Sequence, residues 1–184
     1  MASINEIRYV DKLRLVGGVD PYKIDVEDMS KDPLQLPLIE YGDIYNDLIN
    51  TSSAYTGQSL KAYKSLDSYN YFISGKVSDI LTFVPPTSSS SALKFVVTAK
   101  VKHSQKLSSP PLKPWVIAQE DGLILTAHCT CMAGLGETCS HVGAVLFTVK
   151  TAVTLRDSKT VTQQPAYWLL PGGTEPKYLE CYRS

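Results

Sequence analysis

The string Cys129-Thr130-Cys131, followed after seven intervening residues by Cys139-Ser140-His141, constrains this chain more than any other feature. On a strand, residues i and i+2 point to the same face, about 6.6 Å apart at Cα, so two thiolates can reach inward together. Tetrahedral bonds of about 2.3 Å set the sulfurs roughly 3.7 Å apart, a separation such a pair can close. The connection from Met132 to Thr138 contains Gly134 and Gly136 and can turn back sharply. Inside a regular helix, residues i and i+2 diverge by about 200°. Cys139 is therefore expected before or at the cap of a helix in whose mouth His141 sits. Three thiolates and one imidazole make a closed four-ligand set, which favours zinc and leaves no open catalytic position. Chance packing of cysteines and thiol redox chemistry are the alternatives. His128 adjoins the first ligand but alternates to the opposite strand face, so it is read as outward-facing or supporting, not as a ligand. His103 is expected to be exposed, and the lone Cys181 is read as a bystander.

The flanks carry their own patterns. Phe95, Val97, Ala99 and Val101 alternate with Val96, Thr98, Lys100 and Lys102, which predicts a half-buried strand over 93–103 with a basic, solvated outer face. Residues 115–119 and 122–129 flank Asp121-Gly122, a hairpin signal. Val142, Val145, Leu146, Val149 and Val153 fall on one helical stripe. Upstream, Tyr71 to Val84 is rich in β-formers and ends at Pro85-Pro86. Apolar residues at 41, 44, 45, 48 and 49 have helical spacing, with Asp43 as a cap. A second short helix is expected over Thr56 to Tyr63, with Thr56 or Ser59 as N-cap. Asp20-Pro21, Asp32-Pro33 and Leu36-Pro37 predict an extended segment over 1–39. Ser88 to Ser91 reads as a loop tip, and Trp168 to Gly173 as a turn.

Charge separates along the chain although 18 basic residues balance 18 acidic ones. From Asp20 to Asp47 eight acids face Lys23 and Lys31, a balance of −6. From Lys94 to Lys113 there are five lysines (94, 100, 102, 106 and 113) and no acid. A dedicated DNA-binding domain is usually basic overall, so any nucleic-acid role rests on that local patch. An ordinary solvated strand face is the equal alternative. Trp115, Tyr167 and Trp168 have the chemistry to stack on bases, but are assigned first to core packing. No run approaches the roughly 18 apolar residues of a membrane span, and the N-terminus lacks an apolar signal core. An intracellular location, nuclear or cytoplasmic, is expected, and a reducing compartment favours metal ligation over disulfides.

The Cys-x-Cys and Cys-x-His pairs, preceded by a hairpin and followed by an apolar helix, resemble the SWIM zinc finger across residues 93–153. That resemblance implies a ββα zinc unit and a DNA- or protein-binding role. More broadly, Leu60 to Leu66, Pro111 to Ile117, Ala127 to Gly136 and Arg156 to Thr162 are similar to the leader region of animal proteins in which a YqaJ-type viral recombinase domain, a phage-type exonuclease, follows. Such a nuclease needs paired carboxylates and a lysine on an α/β core. The acids of residues 20–47 form no such motif and are read as a solvated surface, so nuclease activity is not carried over.

The expected molecule is α+β. It has an antiparallel sheet, a ββα zinc unit and short N-terminal helices. The segments are 1–39 extended, 40–92 helical with a first strand, 93–153 the zinc-finger region and 154–184 a C-terminal extension. The expected function is a non-catalytic zinc-binding module that contacts DNA or RNA through Lys94, Lys100, Lys102, Lys106 and Lys113. A protein-interaction module and an exonuclease fragment inactive alone are the alternatives. No membrane partner is expected.

Overall fold

A computed structural model describes residues 4–50, 63–86, 92–104, 108–132 and 139–158. The helix expected from Thr56, the loop tip at 88–91, Lys106, the turn between Met132 and Cys139, and Tyr167, Trp168 and Cys181 lie outside the described residues. Among the described residues, four α-helices, α1 (Ile4–Arg14), α2 (Tyr41–Tyr45), α3 (Tyr63–Ile73) and α4 (Ser140–Asp157), accompany four strands, β1 (Val77–Phe83), β2 (Lys94–Val101), β3 (Trp115–Gln119) and β4 (Ile124–His128). The strands form one antiparallel sheet in the order β1-β2-β3-β4. The class is α+β, as the sequence predicts.

The sheet separates two cores. Val97, Ala99 and Val101 of β2, Val116 and Ala118 of β3 and Ala127 of β4 join the buried face of α4 in the larger one. Their neighbours Val96, Trp115 and Ile117 join Val16 in a smaller core on the opposite face. This is the two-residue alternation of a pleated strand with both faces covered. The hairpin between β3 and β4 turns at Asp121-Gly122, where Gly122 has φ of 96°. A Cβ there would also collide with the Leu38 carbonyl, so the position needs glycine twice over. Opposite the Ile117–Ala118 step, β4 has one extra residue, since Ile117 pairs Thr126 and Ala118 pairs Ile124. This bulge at Leu125 resets the phase of β4. Ile124 and Ala127 consequently both face the larger core.

Helix α4 carries the stripe read from the sequence. Val142, Val145, Leu146, Val149 and Val153 are all buried, and so are Ala144, Thr148, Lys150 and Ala152. It is covered on nearly all sides because the sheet lies against one flank and α3 against another. Gly143 permits that approach: a Cβ there would run into the Ser68 side chain and Leu48. The one buried cation on the helix, Lys150, meets Glu40 at 2.8 Å.

Four expectations are corrected. The first 39 residues are not extended, because α1 occupies Ile4–Arg14. The prolines that dominate the segment begin at Pro21, beyond the helix. Glu6 in its first turn and Lys12 and Arg14 in its last suit the helix dipole. Gly17 and Gly18, both at positive φ, end it, with Gly18 N–H donating to Leu13 O at 2.8 Å. Tyr71 to Val84 is not one β segment. Residues 71–73 complete α3, and Gly75 at φ of 61° closes that helix before β1 starts. Asp43 is not the cap of α2. Glu40 occupies that position, and Asp43 returns a carboxylate to the Glu40 N–H at 2.8 Å. Finally, the outer face of β2 is not solvated along its length. Val96 is fully buried there, because α1 and the loop after it cover that half of the strand.

Candidate metal centre

The residues Cys129, Cys131, Cys139 and His141 come together where β4 runs into α4. Each offers one ligand atom, and these four atoms lie within 4.8 Å of one another. Two elements create the convergence. Cys129 follows directly on β4, and the bulge at Leu125 turns it and Cys131 to the side of the sheet that α4 covers. Cys139 is the N-cap of α4, with φ of −89° and ψ of 162°, and its side chain makes no capping bond. The extended cap geometry is what the i, i+2 spacing of Cys139 and His141 demands. A helical Cys139 would send the two side chains apart.

Cys129 and Cys139 are almost wholly buried, at 2% and 3% exposure, and both belong to the larger core. Cys131 and His141 are half-buried. The three thiols are free despite their proximity. Hydrogen bonds to Cys131 and Cys139, with burial, push the Cys129 thiol far above its usual range. Hydrogen bonds from Cys129 and Cys139 hold Cys131 far below its own against the opposing effect of burial. Burial alone would lower the His141 imidazole, but its interactions with Cys131 and Cys139 outweigh that and push it up to about 10. The opposite shifts of Cys129 and Cys131 follow from thiols crowded around one centre. The Nδ1 of His141 is also buried with no hydrogen-bond partner. Donor softness, closeness and an unsatisfied nitrogen all fit a bound metal ion.

Neighbouring elements pack against the cluster. The Tyr71 ring of α3 meets the His141 ring edge-on at 5.0 Å and 77°. Lys76 Nζ lies 4.8 Å from the centre of that tyrosine ring. On the far side of the sheet, His128 stacks on Trp115 at 5.6 Å and 23°. It takes no part in the cluster, in keeping with its alternation away from Cys129. His103 Nε2 lies 3.2 Å from Pro110 O in an exposed contact. Tyr71 and Trp115 act within the fold. Nothing in the sequence tied Tyr71 to a ligand 70 residues away, since its segment read as strand.

The lysines expected at a nucleic-acid surface are only partly assembled. Lys94 bends inward and donates to Leu15 O at 2.9 Å. Lys100 pairs with Asp79 at 2.8 Å, both half-exposed. Lys102 and Lys113 are exposed. Lys100 and Lys113 line one open cleft of about 330 Å³ on the outer face, together with Lys31, Asp79, Tyr22 and Trp115. Among the described residues, no helix is long and apolar enough to cross a membrane. Comparison with protein-family models, curated proteins and solved structures finds no match to this chain.

Proposed function

We propose that this protein is a zinc-stabilised binding module of the SWIM type. The observation that carries the proposal is the approach of three cysteine sulfurs and one imidazole within 4.8 Å. That donor set selects zinc over oxygen-seeking cations, and four protein ligands leave no position for substrate or activated water. The metal's role is then to bind the end of β4 to the start of α4, so its binding energy becomes folding energy. Purified under reducing conditions, the full chain will carry one zinc per molecule by elemental analysis. A disulfide among Cys129, Cys131 and Cys139, or a metal-free protein, would remove the reading. Cys181→Ser will leave zinc content unchanged.

The partner in this proposal is nucleic acid, met through phosphate contacts. The support is the gathering of Lys31, Lys100 and Lys113 around one cleft. Two to four such contacts predict that log affinity for duplex falls with log salt at a slope of roughly −2 to −4. Sequence preference will be weak, because no groove-reading helix rich in Arg, Asn or Gln is present in the sequence. A protein partner is the second reading. It is favoured by the exposed stripe Leu66, Tyr69 and Ile73 on α3 and by the Asp79 carboxylate against Lys100. Salt-independent binding, or none, would decide for it.

A further inference from the structure

The segment that carries Cys129 and Cys131 is fastened from outside the metal centre by a chain of hydrogen bonds. Thr130, between the two cysteines, accepts at Oγ1 from the Lys113 N–H, 3.0 Å away. The Lys113 carbonyl accepts from the Tyr22 hydroxyl at 2.9 Å. The same hydroxyl lies 2.9 Å from Nδ1 of His128, 106 residues further along the chain. A phenol has one proton, and Lys113 O receives it. The contact to His128 then requires that Nδ1 bear the hydrogen and the Tyr22 oxygen accept it. One oxygen thus holds the residues on both sides of Cys129, His128 directly and Thr130 through Lys113.

Tyr22 is itself firmly placed. Its ring lies parallel to Tyr9 at 6.5 Å and edge-on to Trp115 at 6.4 Å and to His128 at 5.8 Å. Asp20 accepts from the Tyr22 N–H at 3.1 Å and from the Tyr9 hydroxyl at 2.8 Å. The packing of the ring and the bonding of the oxygen are separable, because phenylalanine keeps the first and loses the second.

We infer that Tyr22 is a positioning residue for the metal centre, its hydroxyl setting the conformation of His128 and Thr130 so that Cys129 and Cys131 are presented together before the metal arrives. The inference rests on the metal-binding reading above. Ordering a ligand pair in advance removes part of the entropy lost on ligation, and outer partners of this kind change metal affinity about 10–100-fold. The N-terminal segment, remote from the Cys/His string in sequence, then controls how tightly the string holds its ion.

The test uses the full chain as wild type, Tyr22→Phe, Thr130→Val and Thr130→Ser. Apparent zinc affinity is measured by competition with a chromophoric chelator, and ligand geometry by the absorption spectrum of the cobalt(II) form. Tyr22→Phe and Thr130→Val will each weaken zinc by about tenfold and broaden the cobalt bands, while Thr130→Ser keeps the acceptor and wild-type affinity. The double variant Tyr22→Phe/Thr130→Val will lose less than the product of the single losses, since both break one chain of bonds. A wild type holding one zinc beside a Tyr22→Phe variant within about twofold of its affinity overturns the inference and leaves the metal reading standing. Equal losses in Thr130→Val and Thr130→Ser, or equal destabilisation of metal-free and metal-loaded Tyr22→Phe, also overturn it. A wild type that holds no metal removes the metal reading, and this inference with it.

Discussion

The two faces of the sheet are covered by different means. The inner face receives one long helix, α4, which meets the end of β4 at the cluster of Cys129, Cys131, Cys139 and His141 and is close-packed on α3 at Gly143. The outer face receives α1 and the loops after it. These are held by Val16 in a small core, by Lys12 Nζ on Ala127 O at 2.9 Å and by Lys94 on Leu15 O. The main inner cover, α4, comes soon after β4 in sequence, whereas the outer cover arrives from about a hundred residues away. Stability concentrated in one four-residue cluster and one helix will fail abruptly. Stability spread over a small apolar core and single hydrogen bonds will fail by degrees.

The largest effect is expected from Cys139→Ala. Loss of a ligand will abolish stoichiometric zinc and amide-exchange protection over residues 142–153, while α1 and the outer core keep partial protection. If α4 stays protected in the metal-free variant, the contrast between the faces is wrong and the metal is not structural. Next is Gly143→Val, which forces a branched side chain against Ser68 and Leu48. Overpacking of this kind costs about 3 kcal/mol, read as a lower midpoint in urea with zinc still bound. Val16→Ala tests the other face. Removing two buried methyl groups will cost about 1–2 kcal/mol, with zinc stoichiometry unchanged; loss of zinc there would show the faces to be one cooperative unit. The smallest effect belongs to Lys100→Ala. Its pair with Asp79 is half-exposed, so stability will move by no more than about 0.5 kcal/mol. A larger change would give the outer cleft a structural role that its exposure does not suggest.

The inner face was the legible one. The ligand set, the cap position of Cys139 and the buried stripe of α4 all follow from spacings within residues 129–153, where covalent geometry leaves few choices. The outer face was not. Its apolar residues Tyr9, Val16 and Val19 are scattered through a charged helix and a loop, and no period marks them as the lid of a sheet. The alternation of β2 correctly separated Val97 from Val96 but could not say that both sides were covered. Lys94 belongs to the same lesson, for a lysine on a strand face reads as solvated until a helix end offers it a carbonyl.

The sequence by itself determined that Cys129, Cys131, Cys139 and His141 form one group, that a hairpin turns at Asp121-Gly122, and that a buried helix begins at the last ligand pair. These are short-range facts, decided by bond geometry and side-chain period. Only the tertiary structure decided which way the group faces. A single extra residue at Leu125 resets the phase of β4, and a shift of one residue exchanges the two faces of a strand. The bulge therefore sends Cys129 toward α4 and His128 toward Tyr22. Only the tertiary structure, too, brought Tyr71 against His141 and Tyr22 against His128. Contacts across 70 to 106 residues depend on how the sheet is covered, and no local pattern in the chain records that.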